Sequence, residues 1–419
     1  MKSTLSSNVF LGPALRHSAT GVPAGDRTTL DGETFLVIRN VDAMPPFFMN
    51  VVSADDLWLF VGSNGPFTAG RTHPDHAIFP YQNVDRILRH ADESGARTIF
   101  RVRRADGGWS LWEPGMPGGC AYRMERNLYK HELGCEVMFE EINHDLQLSF
   151  RARLTAAGPY GLVRQCSLAA IGAGPADVRF LDGWSHLITP GVSVNHFARY
   201  SYLVPAYMRH DQVPGTGMGI FTLNAGISDR PEPSESLRAT AAWSVGHREP
   251  AVLLSEKQVE AFRAGEAVQP EIEVRGEYGA YLAAGECRVT ADRPSEWILG
   301  VDTQLDHAAL LRLQADLQQP GFADRVRAAV QTNRDELRRR VAAADGLQAV
   351  GDPPAATRHL ASVLYNCMRG GTFENSYAFP SRDVAAYLRG RNREVLARHE
   401  ADIAAWPGDM TLERLWAWK

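Results

Sequence analysis

The sequence predicts a mainly β fold followed by C-terminal α-helices: a large antiparallel sandwich over residues 31–301, a helical linker over 302–351 and the start of an α/α segment over 352–419. Three observations predict it. For most of the chain, short apolar runs alternate with polar residues and are separated by turn residues, as in strands with one core-facing side. No helix of convincing length interrupts residues 35–300. Beyond residue 304 the apolar spacing lengthens to three and four, the period of a helix.

Residues 1–30, rich in Gly, Pro, Ser and Thr, read as an irregular arm. The Asp31-Gly32 turn introduces a strand from Phe35 to Arg39. Residues 47–52 and 57–62 are apolar and joined by Ser53-Ala54-Asp55-Asp56, so they read as a hairpin of two core strands. Asn64-Gly65-Pro66 then enforces a turn, because Gly tolerates positive φ and Pro fixes its own. Residues 97–103 and 109–112 form another hairpin around Asp106-Gly107-Gly108. The clearest alternation sets Leu146, Leu148, Phe150, Ala152 and Leu154 against Asp145, Gln147, Ser149, Arg151 and Arg153. Further strands are expected at 162–171, 177–187, 197–208, 218–224, 238–245, 280–290 and 296–301, and many closely spaced strands with turn signals make an antiparallel sandwich.

Helices are expected over 304–319, ended by Pro320-Gly321, and from Phe322 through Val326, Val330, Leu337 and Val341, the pair packing on the sheet. Asp352-Pro353-Pro354 marks a boundary. Helices follow at about 357–369, stopped by Gly370-Gly371, over 382–405, and over Leu412, Leu415 and Trp416.

A net charge of −5 and a pI near 6.2 argue against nucleic acid or an anionic membrane as the main partner. Five widely spaced cysteines without a CxxC pair signal neither a disulfide framework nor a zinc site, and a reducing compartment is expected. The first twenty residues hold no apolar stretch of signal-peptide length, and no run approaches the roughly 18 residues of a membrane span. Cytoplasmic location is the expectation.

The loop after the 57–62 strand carries Asn64, Arg71, His73, Asp75, His76 and Tyr81. An Arg fork binds paired hydroxyls or an oxyanion, and imidazoles beside an acid supply directional donors and acceptors, the combination a sugar needs. The same residues are equally read as a salt-bridged loop. His73-x-x-His76 lacks the third ligand of a metal site, and no phosphate-loop pattern is present, so no metal, cofactor or nucleotide is expected.

The segments Asn40 to Ser53, Leu57 to Gly65, Thr68 to Arg71, Asp75 to Tyr81 and Tyr365 to Gly371 resemble the amino-terminal region of cellobiose phosphorylase-like proteins, glycoside hydrolase family 94 and its relatives. That resemblance covers most of the chain. It implies a β-supersandwich of the galactose-mutarotase type, a helical linker and a catalytic (α/α)6 barrel of which only the start is present here. By the same resemblance the enzyme class cleaves β-linked glucosides with inversion, with inorganic phosphate as possible co-substrate. The chain is then a carbohydrate-binding part, inactive alone, whose partners are a β-linked glucoside or oligosaccharide, a helical-barrel segment in cis or trans, and a second copy as candidate homodimer partner. It also marks a second cluster, with Asn366, Arg369 and Glu374 near a sugar pocket, although a capped linker helix explains these residues as well.

Inverting cleavage needs two carboxyl groups about 6.5–9.5 Å apart, or one acid where phosphate replaces water. Adjacent Glu140 and Glu141 point to opposite strand faces and cannot form that pair; Glu125 with His131 is a second candidate general acid and base. Trp109, Trp112, Tyr122, Trp184, Tyr200, Tyr202 and Tyr207 are either stacking platforms or packing. Two rival functions follow. A mutarotase- or epimerase-like enzyme would pair His73 or His76 with a carboxylate such as Glu141, and a dimerisation module would show no pocket.

Overall fold

The computed structural model describes the chain except residues 1–8, 12–13, 18–20, 83, 90–94, 116–120, 200–202, 228–234, 345, 348–350, 369–377 and 419. The chain divides into two compact units, Met1–Asn333 and Arg334–Lys419.

Within the first unit, described strands build two facing layers. The larger is an eleven-stranded antiparallel sheet in the order Glu273–Arg275, Met208–Gln212, Gly219–Leu223, Ala239–Val245, Ser295–Leu305, Leu162–Ala170, Leu148–Ala156, Glu136–Asn143, Met124–His131, Glu33–Arg39 and Ala24–Leu30. The smaller has five strands: Ala251–Leu253, Gly279–Val289, Ala176–Leu187, Gly95–Arg103 and Trp109–Trp112. A three-stranded sheet, Phe48–Val51, Leu57–Gly62 and Phe67–Arg71, shares their core. The mainly antiparallel β architecture with C-terminal helices therefore stands.

Alternation explains the layering. Leu148, Phe150, Ala152 and Leu154 face inward, and their inward neighbours meet side chains of the opposite sheet. Phe100 lies 5.1 Å from Phe150, Phe150 6.0 Å from Trp297 and Trp297 5.9 Å from Phe180, a chain of rings that crosses between the layers. A polar tie crosses with it. Arg164 of the large sheet meets Asp182 of the small one at 2.6 Å, and Asp182 also accepts from Thr98 and from the Trp297 indole, both at 2.6 Å. A fully buried carboxylate is tolerable only when paired and hydrogen-bonded in this way.

The helices His307–Gln318 and Phe322–Ala343 follow the last long strand. Asp306 caps the first by accepting from the Ala309 amide at 2.9 Å. Leu313, Phe322, Val326 and Val330 then pack on Tyr160, Val163, Trp243 and Ile298, the outer face of the large sheet.

Three expectations need correction. Residues 24–30 are not an irregular arm but the polar edge strand of the large sheet, largely exposed and therefore without apolar alternation. Residues 197–208 are not one strand: Val194–Arg199 and Leu203–Ala206 are helical, and the strand begins at Met208. In the second unit the single helix expected over 382–405 is three, Ser381–Arg391, Arg393–Arg398 and Glu400–Ala404. Asn392 breaks it by leaving the helical conformation and capping the next helix through the Val395 amide. Among the described residues no helix is long and apolar enough to cross a membrane.

Candidate functional site

Between the two layers lies a cavity of about 380 Å³. Its mouth is formed by exposed Asp42, Pro46 and Gly115, and its depth by buried Thr98, Ala152, Leu154 and Arg164. Phe67, Phe139 and Phe150 supply apolar wall. A cleft of this size, mostly apolar with few convergent polar groups, has the character of a small-molecule site.

The polar wall comes from strand register. Arg126 and Glu141 stand directly opposite on neighbouring strands, where side chains on one face meet. Arg126 Nε donates to Glu141 Oε2 at 2.8 Å, the Gly115 amide donates to the same oxygen at 3.0 Å, and Trp112 Nε1 donates to Oε1 at 2.8 Å. Three donors thus hold one carboxylate in the wall. With about four lone-pair positions on a carboxylate, Oε1 keeps acceptor capacity for a ligand hydroxyl.

Glu140 alternates to the other strand face, although it too borders the cavity. Its carboxylate accepts from Tyr129 at 2.7 Å, Asn127 at 2.9 Å and Arg151 at 2.7 Å. Burial opposes its charge, but these bonds and the Arg151 charge outweigh that and hold it below the usual carboxylate range. Burial, with Glu140 beside it, pushes the Tyr129 phenol up to about 12. At the cavity floor, burial works against the Arg164 guanidinium, yet the Asp182 charge keeps it above its ordinary value. Burial pushes the neighbouring Cys166 thiol well up, leaving it a thiol that donates toward Asp182.

Of the expected site residues, Asn64 lines this cavity, and its side-chain amide donates to the Leu88 carbonyl at 3.0 Å. Arg71 does not line it. Its guanidinium is held by Asp302, Asp55 and Asp56 at 2.7–2.9 Å and by the Gly158 carbonyl at 3.1 Å. His73 is exposed and accepts from the Asp75 amide, Asp75 accepts from the Val194 amide at 2.8 Å, and the His73 and His76 rings lie 6.2 Å apart. Tyr81 packs edge-on against Trp58 at 5.7 Å. Arg369 and Glu374 lie outside the described residues, and Asn366 is exposed. Glu125 and His131 are not a pair: Glu125 approaches His144, and His131 meets Glu33 at 3.2 Å. Trp112 and Trp184 are core residues, while Trp109 lies under Arg103 and Arg179. Tyr200 and Tyr202 are outside the described residues.

Arg126, Thr98 and Arg164 are not legible as site residues in the sequence, and Glu141 enters there only through the rejected Glu140–Glu141 pair and as a mutarotase carboxylate. The available signal was the alternation itself, which puts Val137, Phe139 and Glu141 on one face, but the partner across the ladder depends on register.

No family model matches the chain, and no curated protein does. Among solved structures it is similar to a bacterial glucoamylase complexed with acarbose, at 10% identity and TM-score 0.38, over 79% of this chain and 40% of that one. It is also similar to a candidate kojibiose phosphorylase from the human microbiome, at 9% identity and TM-score 0.29, over 57% of this chain and 28% of that one. A third similarity is to a candidate aldose 1-epimerase from Klebsiella pneumoniae, at 8% identity and TM-score 0.29, over 73% of this chain and 95% of that one. The chain spans less than half the length of the first two, and at these scores no activity transfers from any of them.

Proposed function

We propose that this chain is the carbohydrate-binding β part of a glycoside-processing enzyme and that the inter-sheet cavity, rather than the Arg71 to Tyr81 loop, receives the sugar. The observation that carries this reading is the Arg126–Glu141 pair set in a cavity walled by phenylalanine rings. A guanidinium and a carboxylate side by side complement vicinal hydroxyls, and rings offer apolar faces to a pyranose. The sequence resemblance to cellobiose phosphorylase-like proteins supports the same class, with a β-linked glucoside as ligand, phosphate as possible co-substrate, and bond cleavage performed by a helical barrel in cis or trans. A homodimer belongs to the same reading.

The mutarotase reading needs a proton-transfer partner for Glu141. No histidine is among the described residues lining the cavity, and His73 sits exposed on its own loop. The binding reading is therefore favoured.

Calorimetric titration with glucose and cellobiose tests it. Saturable binding by the wild-type chain, lost in Glu141→Gln and retained in His73→Ala, whose side chain is exposed and outside the cavity, is expected. Absence of sugar binding, or equal binding by Glu141→Gln, sinks the proposal, and an anomer-interconversion assay that shows turnover reinstates the mutarotase reading.

A further inference from the structure

The hairpin turn His131-Glu132-Leu133-Gly134-Cys135-Glu136 gathers three different metal-binding groups on buried side chains. His131 is 1% exposed and Cys135 and Glu136 are fully buried, and one ligand atom from each lies within 4.8 Å of the other two. Cys135 Sγ stands 3.5 Å from His131 Nδ1. A tetrahedral ion about 2.3 Å from sulfur and about 2.0 Å from an imidazole nitrogen holds those two atoms about 3.5 Å apart. The spacing is already that of a shared ion.

The imidazole is also oriented for it. His131 Nε2 meets the Glu33 carboxylate at 3.2 Å, which draws the ring proton to Nε2 and leaves the Nδ1 lone pair on the Cys135 side. Consistent with that tautomer, the Leu133 amide donates to Nδ1 at 3.1 Å, and this is the contact an incoming ion displaces. Phe35 holds the ring edge-on at 5.1 Å. A thiolate and a carboxylate together carry two negative charges; Arg153, 3.9 Å from Glu136 Oε2, offsets part of that charge and a divalent cation balances the remainder. Sulfur disfavours Mg²⁺ and Ca²⁺, which take oxygen ligands, and suits borderline ions of the Zn²⁺ kind.

We propose that this turn is a binding site for one thiophilic divalent ion of the Zn²⁺ class, held by His131 Nδ1, Cys135 Sγ and the Glu136 carboxylate, with Glu33 orienting the imidazole. Three protein ligands leave a fourth position to water. The turn closes the hairpin that carries Arg126 and Glu141, so the ion clamps the cavity wall without touching a ligand there.

The full chain, stripped with a chelator, is titrated with Co²⁺ and then with Zn²⁺. A thiolate-to-cobalt absorption band saturating at one equivalent and displaced by Zn²⁺ is expected. The band is expected to vanish in Cys135→Ser and persist in Cys287→Ser, while Glu33→Ala weakens binding about 10–100-fold. X-ray absorption of the Zn²⁺-loaded wild type is expected to show one sulfur at about 2.3 Å, a readout that stands even where a variant fails to fold. Sub-stoichiometric uptake, a shell of only nitrogen and oxygen, or a band unchanged in Cys135→Ser overturns the proposal.

Discussion

Arg126 and Glu141 face each other across adjacent strands, Nε to Oε2 at 2.8 Å, and the same carboxylate is pinned by Trp112 from the opposite sheet. One side chain thus ties the two layers together and furnishes the polar wall of the cavity between them. On the proposed function, stability and sugar recognition share that residue.

Glu141→Ala leaves a guanidinium, an indole and a peptide amide without their acceptor. Removing one partner of a buried, hydrogen-bonded charge costs a few kcal/mol, so a loss of about 2–3 kcal/mol is expected, with Glu141→Gln near 1 kcal/mol. Urea denaturation checks this: the midpoint falls while the slope stays, and an unchanged midpoint contradicts the assignment.

Arg71 ties three carboxylates together. Its partner Asp302 is 8% exposed at the side chain, so Arg71→Ala strands a buried carboxylate and is expected to cost about 3–5 kcal/mol. The double variant Arg71→Ala with Asp302→Ala should recover part of that loss, because the stranded charge is gone. Equal instability of single and double variants would show that packing, not charge, dominates.

His247 stacks on Phe180 at 4.1 Å and lies 4.9 Å from Trp297. Burial pushes its pKa down to about 4. The unfolded chain, titrating near the ordinary value of about 6.5, binds the proton more readily between those two values. Stability is therefore full above about pH 6.5 and falls as pH drops toward about 4, by roughly 3 kcal/mol from this residue. Comparing denaturation midpoints at pH 7 and pH 5 tests it: His247→Phe should flatten the pH dependence, and an equal slope in both proteins refutes the role.

Gly183 lies in the central strand of the five-stranded sheet, where an added Cβ would fall 1.8 Å from the Tyr281 carbonyl oxygen. Backbone cannot yield as a flexible side chain does. Gly183→Ala is expected to destabilise by about 3 kcal/mol or more, read as a lowered thermal midpoint or insoluble expression; near-wild-type stability would show that the ladder shifts freely.

The layered β fold was legible because one-sided burial writes itself into the chain as alternation, as at Leu148 to Leu154. The edge strand Ala24–Leu30 was not, since a strand with almost no buried face carries no such mark. The loop from Asn64 to Tyr81 drew attention through its residue types, and composition alone does not distinguish a guanidinium committed to Asp302 from one facing a ligand.

The amino-acid sequence by itself determined the architecture class, its strand periodicities, that Glu140 and Glu141 point to opposite faces, and the change to helices after residue 304. Tertiary structure alone decided which charges pair: Arg126 with Glu141, Arg164 with Asp182, and Arg71 with Asp302. The reason is physical. Facing is a local property set by a two-residue period, whereas partners are chosen by register and by the approach of two sheets, which no local spacing encodes.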